Sequence, residues 1–501
     1  MKLVNAKQMR QIDEAAIHKY QIPSLELMEN AGQQVYESII QLVSKKDFIG
    51  IVCGIGNNAG DGFVVARKLY DDGYNVEILS IGEEANMSLD CKVNYNKCTT
   101  LRIPFVDCMQ SWDVVIDAIF GTGLSRNVEG AYASIIEKIN ALSTKVISID
   151  IASGIDAATG HILGSVIKAD YTLTLQTGKI GLYMYPGRIY SGHVEVLDIG
   201  IPQQLIDEMD STIYLIEKKD MKSLLPSRSI HSNKGTYGKV LCVGGSMEMS
   251  GAISLAALAA LRSGCGMITC AVPKCIKDVV ACNVLESMRI ILSDINGHID
   301  KQAVIELKPR LSAYSCLLIG CGIGRSKDIE AVLEVLLDSE LPLVIDADGI
   351  FALKSLLPKY KERKNIIITP HLMEFARLVD KDIQEIIDNP IQEALAFTER
   401  YPYITLVLKS ETSLVVQNRK VYVNTYGNNG LAKGGSGDVL AGIITGLYAQ
   451  NKDALAAATL GVFLHAYSAD VLLNEKTLYS MIPSDIFMQI DDIIKSLEED
   501  L

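Results

Sequence analysis

The stretch GLAKGGSGD at residues 430–438 stands directly before the apolar run Val439–Tyr448. Glycine and serine at a helix start leave backbone N–H groups free to bind an anion at the positive end of the helix dipole. A carboxylate at Asp438 would lie beside a phosphoryl group and could deprotonate an attacking hydroxyl group. The alternative is a glycine turn in which Asp438 only stabilises the helix start. The density of glycine and serine before Asp438 exceeds what a cap needs, so the stretch favours a phosphoryl-transfer site.

Upstream of this motif, short apolar strands alternate with helical segments. We expect strands at Lys239–Val243, Cys316–Gly320, Pro342–Ile345, Ile366–Thr369 and Ile404–Lys409, and then a hairpin-like pair at Ser413–Gln417 and Lys420–Thr425. Alternation of this kind predicts an α/β fold. No GxxxxGK[ST] motif occurs in the chain, so a nucleotide at this site would not be held by a P-loop.

The first two hundred residues show the same alternation. We expect strands at Gly50–Cys53, Asn75–Ile81, Asp113–Ile116, Lys145–Ile151 and Tyr171–Gln176, which predict a doubly wound parallel sheet. A charged, loop-like stretch follows at Leu215–Asn233. A chain of 501 residues exceeds what one hydrophobic core usually organises. We therefore predict two domains, residues 1–213 and 214–501.

Three polar, glycine-rich loops follow strands in the first domain. They read GIGNNAGDG at residues 54–62, DAIFGTG at 117–123 and DIASGID at 150–156. The carboxyl ends of strands in an open parallel sheet converge on a ligand crevice, so the three loops predict one concave site. The first loop precedes an expected helix at Phe63–Tyr70 and would present backbone amides to an anion. Asp150 is then a candidate general acid or base, with a turn cap as the alternative.

Charge and cysteine usage exclude several classes of partner. The net charge of −13 carries no basic stripe, so neither nucleic acid nor an anionic membrane is an expected partner. Eleven cysteines without a CxxC pair predict reduced thiols and a cytoplasmic protein. The apolar runs at 251–261 and 454–469 read as too short to span a membrane or as interrupted by Arg262. Small residues at 454–469 could form an interface as easily as a core, and we expect a homo-oligomer.

The three loops of the first domain resemble the epimerase domain of the family that repairs NAD(P)HX. NAD(P)HX denotes the hydrated forms of NADH and NADPH. The segments MRQIDEAAI and IPSLELMENAG, which precede the loops, belong to the same resemblance. The resemblance covers residues 5–205 and implies a Rossmann-like fold. It also implies that Asp150 acts on the hydrated nicotinamide. The implied substrate contacts are Asn57, Asn58, Ala59, Gly60, Asp61, Gly121, Thr122, Gly123, Leu124, Ser125, Arg126 and Asn127, and the implied potassium ligands are Asn58, Asp117 and Ser153.

Two positions in these loops depart from the family pattern. Ala59 replaces the first glycine of the usual GNNGGDG, and a side chain there disfavours a positive φ angle, so phosphate contact could weaken. Ala152 replaces the usual proline of DxPSG, which loosens the loop slightly without removing a functional group.

Residues 228–495 resemble the dehydratase domain of the same family, a branch of the ribokinase-like superfamily. The resemblance rests on KGTYGKVLCVGGS, SGAISLAALAALRSGCG, GCGIG, DADG, TPHLMEFARL and GNNGLAKGGSGDVLAG. It implies Asp438 as catalytic base and ADP or ATP with Mg²⁺ as co-substrate. The implied substrate contacts are Ala252, Gly322, His371 and Asp438, and the implied nucleotide contacts are Lys409, Ser410, Glu411, Thr412, Ser413, Gly435, Ser436 and Gly437. Ser410 and Glu411 depart from the usual KGAxT, and Glu411 adds a negative charge. For His371, a satisfied turn histidine is the alternative.

Together the two resemblances predict a bifunctional enzyme, an isomerase that interconverts the R and S epimers of NADHX and NADPHX and a lyase that dehydrates the S epimer. Dehydration would proceed by phosphorylation of the ring hydroxyl group and elimination of phosphate. One alternative is a kinase for a vitamin-type alcohol, which the GGSGD motif would serve equally well. The other is a nucleotide-binding scaffold in which one half lacks catalysis.

Overall fold

Two separate sheets divide the chain in the computed structural model, which describes residues 1–499. The chain forms two compact units, Met1–Ile213 and Tyr214–Leu501. Both units alternate strands with helices, and short β-branched runs form the buried strands of each sheet.

The first unit contains a six-stranded sheet in which every neighbouring pair is parallel. Its strands are β1 (Phe48–Cys53), β2 (Asn75–Ser80), β3 (Val114–Ala118), β4 (Lys145–Ile149), β5 (Tyr171–Leu175) and β6 (His193–Leu197). Its helices are α1 (Ala6–His18), α2 (Ser24–Leu42), α3 (Asn57–Asp71), α4 (Leu89–Thr100), α5 (Gly130–Ala141), α6 (Ile180–Tyr183), α7 (Gly187–Ser191) and α8 (Gln203–Glu208).

The strand order of this sheet is β2-β1-β3-β4-β5-β6. The chain leaves β1 toward one edge of the sheet and returns to β3 on the other side, which opens a crevice beyond the carboxyl ends of these strands. The Rossmann-like, doubly wound fold predicted from the sequence is confirmed.

Helix α3 corrects the interpretation of the first glycine-rich loop. It begins at Asn57, with Gly56 as its N-cap, and not at Phe63. The amides of Ala59 and Gly60 already donate to the Gly56 carbonyl oxygen. Ala59 is therefore helical and fully buried, so the concern about a positive φ angle at this position does not apply.

The second unit contains a ten-stranded sheet of order β10-β9-β8-β13-β14-β15-β16-β17-β18-β7. The strands in chain order are β7 (Ile213–Leu215), β8 (Lys239–Val243), β9 (Met267–Pro273), β10 (Met288–Leu292), the small separate pair β11 (Asp294–Ile295) and β12 (His298–Ile299), β13 (Cys316–Ile319), β14 (Leu343–Ile345), β15 (Ile366–Ile368), β16 (Ile404–Leu408), β17 (Ser413–Gln417) and β18 (Lys420–Asn424). Pairing is parallel from β10 to β16 and antiparallel from β16 to β18.

The helices of this unit cover both faces of the sheet in the manner of the ribokinase-like superfamily, as predicted. They are α9 (Lys218–Met221), α10 (Ser250–Arg262), α11 (Lys277–Asn283), α12 (Ala303–Leu307), α13 (Lys327–Asp338), α14 (Asp348–Leu356), α15 (Leu372–Val379), α16 (Ile383–Asp388), α17 (Pro390–Arg400), α18 (Ser436–Asn451), α19 (Ala454–Leu472) and α20 (Ile486–Glu499).

Helix α19 corrects a second expectation. It extends beyond the run at 454–469 to a length of 19 residues, and at that length it is long and apolar enough to cross a membrane. However, 72% of its apolar window is buried inside the protein, next to α18 and α20. The small residues of α19 therefore form core, which removes the argument that they form an interface between copies.

Helix α18, which carries the GGSGD motif, is positioned by close contact with α10. A methyl group added at Gly442 would lie 2.2 Å from the Ala256 carbonyl oxygen and 2.7 Å from the Ala259 Cβ atom. The two helices can approach this closely only because position 442 has no side chain.

The substitution Gly442→Ala should therefore destabilise the second unit by about 1–3 kcal/mol, because overpacking outweighs the better helix propensity of alanine. Gly251→Ala on the exposed first turn of α10 is the matched control, since no described atom lies within 4 Å of the added methyl group. We expect calorimetry of the full chain to show a lower unfolding temperature for Gly442→Ala alone. Equal unfolding temperatures would contradict this account of the helix packing.

Candidate active sites

A cavity of about 790 Å³ lies in the first unit at the carboxyl ends of the strands. Its wall includes residues from α1, α2, the start of α3, the loop after β3, the end of β4 and Lys179. The predicted residues that line this cavity are Asn57, Asn58, Asp61, Gly121, Thr122, Gly123, Leu124, Ser125, Arg126 and Asp150. The structure therefore brings the three glycine-rich loops to one concave site.

A buried ion pair stands at the centre of this site. Lys179 is fully buried, and its Nζ atom lies 2.5 Å from Asp150 Oδ1. The ammonium group also donates to Thr174 Oγ1 at 3.0 Å and to the Leu175 carbonyl oxygen at 2.7 Å, so all three of its protons have partners. Asp150 has a φ angle of +65°, which aspartate tolerates better than most residues. The strand end thus presents the Asp150 carboxylate to the cavity with its charge paired.

Two more carboxyl groups line the same cavity. Burial raises the pKa of Asp13 to about 7, and the nearby Lys179 opposes the rise. Burial also raises the pKa of Asp61 well above its usual range, with Asp150 and Asp13 adding to the effect. Sequence reasoning missed Asp13 and Lys179 as functional residues, although Asp13 belongs to the MRQIDEAAI segment and Lys179 follows a strand end.

The remaining predicted residues of this unit have other surroundings. Ala59 belongs to the hydrophobic core, and a side chain at Gly60 would meet Met28 and Cys91. Asn127 is exposed at the end of the loop after β3.

Asp117 and Ser153 form a buried network. Asp117 Oδ1 accepts from the Ser153 hydroxyl group at 2.6 Å and from the Ile119 amide at 3.2 Å. Asp117 Oδ2 accepts from the Ser148 hydroxyl group at 2.8 Å and from the Ser153 amide at 2.9 Å. Burial raises the pKa of Asp117, and these hydrogen bonds oppose the rise. Asn58 differs, because neither its amide oxygen nor its amide nitrogen has a hydrogen-bond partner among the described residues.

In the second unit, Asp438 lies in the first turn of α18, after Gly435 with a φ angle of +100°. One ligand atom each from Asp438, Asp346 and Cys321 lie within 4.8 Å of one another. Burial raises the pKa of Asp438 to about 6, and the charge of Asp346 adds to the rise. Lys409 Nζ lies 2.9 Å from Asp346 Oδ1, which also accepts from the Thr369 hydroxyl group at 2.7 Å. The ends of four strands thus meet the start of α18.

The other predicted residues of this unit surround that cluster. A methyl group added at Gly437 would lie 3.2 Å from Lys409 Nζ, and one added at Gly322 would lie 2.8 Å from the Ala252 Cβ atom. His371 is the N-cap of α15 and accepts through Nδ1 from the amides of Met373 and Glu374. Its Nδ1 atom therefore caps the helix, and its backbone bridges Lys409.

The segment from Ser410 to Ser413 is a tight turn. The Ser410 hydroxyl group donates to the Thr412 carbonyl oxygen at 2.7 Å, and the Ser413 hydroxyl group donates to the Ser410 carbonyl oxygen at 3.2 Å. Glu411 is exposed at the turn, whereas Thr412 is buried.

Known families match both units. The family model described as NAD(P)H-hydrate dehydratase matches residues 240–492, and the model described as YjeF-related protein N-terminus matches residues 24–181. A bifunctional NAD(P)H-hydrate repair enzyme Nnr from Moorella thermoacetica is 35% identical, with 100% of this chain and 98% of the relative covered. The enzyme of the same name from Dictyoglomus turgidum is 34% identical, with 99% of each chain covered. A solved ribokinase-like superfamily protein from Enterococcus faecalis is 25% identical with a TM-score of 0.51, covering 57% of this chain and 96% of its own.

The buried ion pair of the first unit generates a stability prediction. Lys179→Met leaves the Asp150 carboxylate unpaired in the interior and should destabilise the first unit by about 3–5 kcal/mol. Adding Asp150→Asn removes that charge and should restore most of the loss, which a double-mutant cycle in calorimetry would measure. Lys45→Met is the control, since Lys45 pairs with Asp72 where both side chains are exposed, and about 1 kcal/mol or less is expected. Additive effects of Lys179→Met and Asp150→Asn would contradict the pairing.

Proposed function

The chain belongs to the family of bifunctional NAD(P)H-hydrate repair enzymes, and we propose that its first unit epimerises NADHX and NADPHX and that its second unit dehydrates the S epimer using ADP or ATP. The observation that carries the second assignment is Asp438, a half-buried carboxyl group with a pKa raised to about 6, in the first turn of a helix with a glycine-rich N-terminus. Relatives match the whole length of the chain, which argues against a kinase for a vitamin-type alcohol.

Asp438 would act as the base for phosphoryl transfer. It takes the proton of the ring hydroxyl group while the hydroxyl oxygen attacks the terminal phosphoryl group of the nucleotide. The lone pair of the ring nitrogen then expels phosphate, and loss of a proton from the neighbouring ring carbon restores the reduced nicotinamide. The Gly437 position beside Lys409 and the N-terminus of α18 would hold the phosphates.

Magnesium would neutralise the nucleotide phosphates during this transfer. Asp346 fits it, because its carboxylate oxygens are the ligands that Mg²⁺ prefers, and this choice leaves Asp438 available as the base. The exposed turn with Glu411 would lie on the nucleotide side of the site, together with Ser410, Thr412 and Ser413. Ala252, Gly322 and His371 would line the pocket for the hydrated ring.

In the first unit, Asp150 would exchange protons with the hydrated ring, and the loops with Asn57, Asp61 and Gly121–Arg126 would hold the rest of the nucleotide. Potassium would add a fixed positive charge beside these loops. The amide oxygen of Asn58 fits as a ligand, because it is buried without a hydrogen-bond partner among the described residues. Asp117 and Ser153 would complete the site only if their mutual hydrogen bonds rearrange.

We also propose a cytoplasmic location. All eleven cysteines are free within the described chain, and eight of them are buried, as expected of a protein in a reducing compartment. Association of copies stays a prediction, with sedimentation of the purified chain as its test.

Potassium should stabilise the first unit if Asn58 is a ligand. At ten times its dissociation constant, the ion would raise the free energy of unfolding by ~1.4 kcal/mol, and choline at the same ionic strength would not. Asn58→Leu should abolish the difference between the two salts in calorimetry. Asn96→Leu, at an exposed asparagine of α4, is the control. Equal unfolding temperatures of the unaltered chain in the two salts would overturn this assignment.

The two activities should separate by substitution. Asp438→Asn should lower dehydration of the S epimer by about 10²–10⁴-fold and leave epimerisation unchanged, whereas Asp150→Asn should do the reverse. The pKa of Asp438 is raised, so the base is present above about pH 6 and is lost as the pH falls through that value. We therefore expect kcat/KM for dehydration, followed by recovery of reduced-nicotinamide absorbance, to fall below pH 6. Full dehydratase activity in Asp438→Asn would refute the assignment.

A further inference from the structure

Helix α1 contributes one wall of the cavity in the first unit. Ala6, Met9, Asp13 and Ile17 line the cavity, and this spacing places them along one face of the helix. The helix begins with a capping box in which Asn5 and Gln8 exchange hydrogen bonds of 2.9 Å. Asp13 is thus a carboxyl group in the cavity wall, on a helix whose first turn is fixed by this capping box.

The segment before α1 is tied to the strand end that carries Lys179. The Val4 amide donates to the Gly178 carbonyl oxygen at 3.0 Å, and the Ile180 amide donates to the Val4 carbonyl oxygen at 3.0 Å. These two hydrogen bonds flank Lys179, so α1 and the buried ion pair are fixed to the same backbone bridge. Asp13 therefore keeps a defined position relative to Asp150.

The chemistry of the substrate calls for one acid and one base. Reduced nicotinamide is an enamine, so water adds to place the hydroxyl group on the carbon attached to the ring nitrogen. Inverting that carbon requires a bond to it to break. Protonation makes the hydroxyl group leave as water, and the nitrogen lone pair forms a C=N⁺ bond. A second water then attacks the other face and loses a proton.

We propose, on the basis of the epimerase function proposed above, that Asp13 is the general acid of epimerisation and that Asp150 is its base. Asp13 gives its proton to the departing hydroxyl group, and Asp150 accepts a proton from the entering water. Exchange with solvent returns the proton from Asp150 to Asp13. In the opposite direction the two carboxyl groups exchange roles, as reversibility requires.

The electrostatics of the cavity support these roles. Asp150 is ion-paired with Lys179, whereas burial raises the pKa of Asp13 to about 7, so a large fraction of Asp13 is protonated at neutral pH and most of it below that. Once Asp13 has given up the proton, its negative charge stabilises the C=N⁺ cation. The charged or titratable groups around Asp13 are Lys179, Asp150, Asp61 and Glu14, and Arg10, Asp90 and Arg126 line the same cavity.

Asp61 is less suited to the acid role. It is 7% exposed, and burial raises its pKa well above the usual range. A proton donor works best when its pKa lies near the working pH, a condition that Asp13 meets.

The test uses the full-length chain without nucleotide, so that dehydration does not consume the epimers, and follows conversion of purified R-NADHX to S-NADHX by chromatography. Asp13→Asn should lower kcat about 10²-fold. The unaltered chain should lose epimerase activity as the pH rises above about 7, because the acid form of Asp13 is then lost, and this decline should be absent in Asp13→Asn. Asp13→Glu should recover part of the rate and the decline.

Several outcomes are decisive. Asp71→Asn, at an exposed aspartate at the end of α3, should match the unaltered chain. Dehydration of S-NADHX with ADP or ATP should stay within twofold in every variant, which shows that the second unit folds, and calorimetry should show the unfolding transition of the first unit in every variant. In ¹⁸O-labelled water the new epimer should carry labelled oxygen, and retention of the original oxygen would overturn the proposed step. An Asp13→Asn variant with unchanged rate and pH profile would overturn the role of Asp13 alone. An unaltered chain that interconverts no epimers would overturn the proposed epimerase function as well.

Discussion

A lysine bound to a buried aspartate stands at the centre of each site. Lys179 is fully buried and holds Asp150, and Lys409 holds Asp346 at 2.9 Å with 20% of its side chain exposed. Either charge alone would be strongly unfavourable in these positions, so neither partner is stable there without the other. The loops that carry the reactive carboxyl groups are arranged around these pairs, and the local charge of each site follows from them.

The strand order brings the members of each pair together. Asp150 follows β4 and Lys179 follows β5, and these strands are neighbours in the first sheet. Asp346 follows β14 and Lys409 follows β16, with β15 between them, and Thr369 at the end of β15 donates to the same Asp346 oxygen. Parallel pairing places the residues of each pair at the carboxyl ends of the strands in their own sheet. The charged side chains of each site therefore lie close together, because they follow the carboxyl ends of strands in the same parallel part of a sheet.

Much of this arrangement follows from local sequence, and the rest depends on packing. The β-branched runs predict the central strands, and Asp150 and Asp438 are found by their position after a strand or before a helix. The patterns do not predict β6, β9 and β10. The edge strands β6 and β10 are partly exposed and lack a continuous apolar run, whereas β9 is a buried strand that was missed. Asp13 was missed because nothing near it in the chain indicates that α1 reaches the ends of β4 and β5. The start of α3 was misplaced because glycine and asparagine are typical of loops.

Desolvation acts on the carboxyl groups of both units, but the charges that face each group give it a different function. Asp438 faces Asp346, whose charge is largely neutralised by Lys409, and its pKa of about 6 leaves it ionised at neutral pH, as a base must be. Asp13 faces Lys179, but Asp150 already neutralises that lysine, and the pKa of about 7 leaves a large fraction of Asp13 protonated at neutral pH. In each site the lysine forms an ion pair with one aspartate. That pairing neutralises most of the lysine's charge, so the lysine lowers the pKa of the second aspartate only weakly. The acid role of Asp13 and the base role of Asp438 therefore both depend on a neighbouring lysine–aspartate pair.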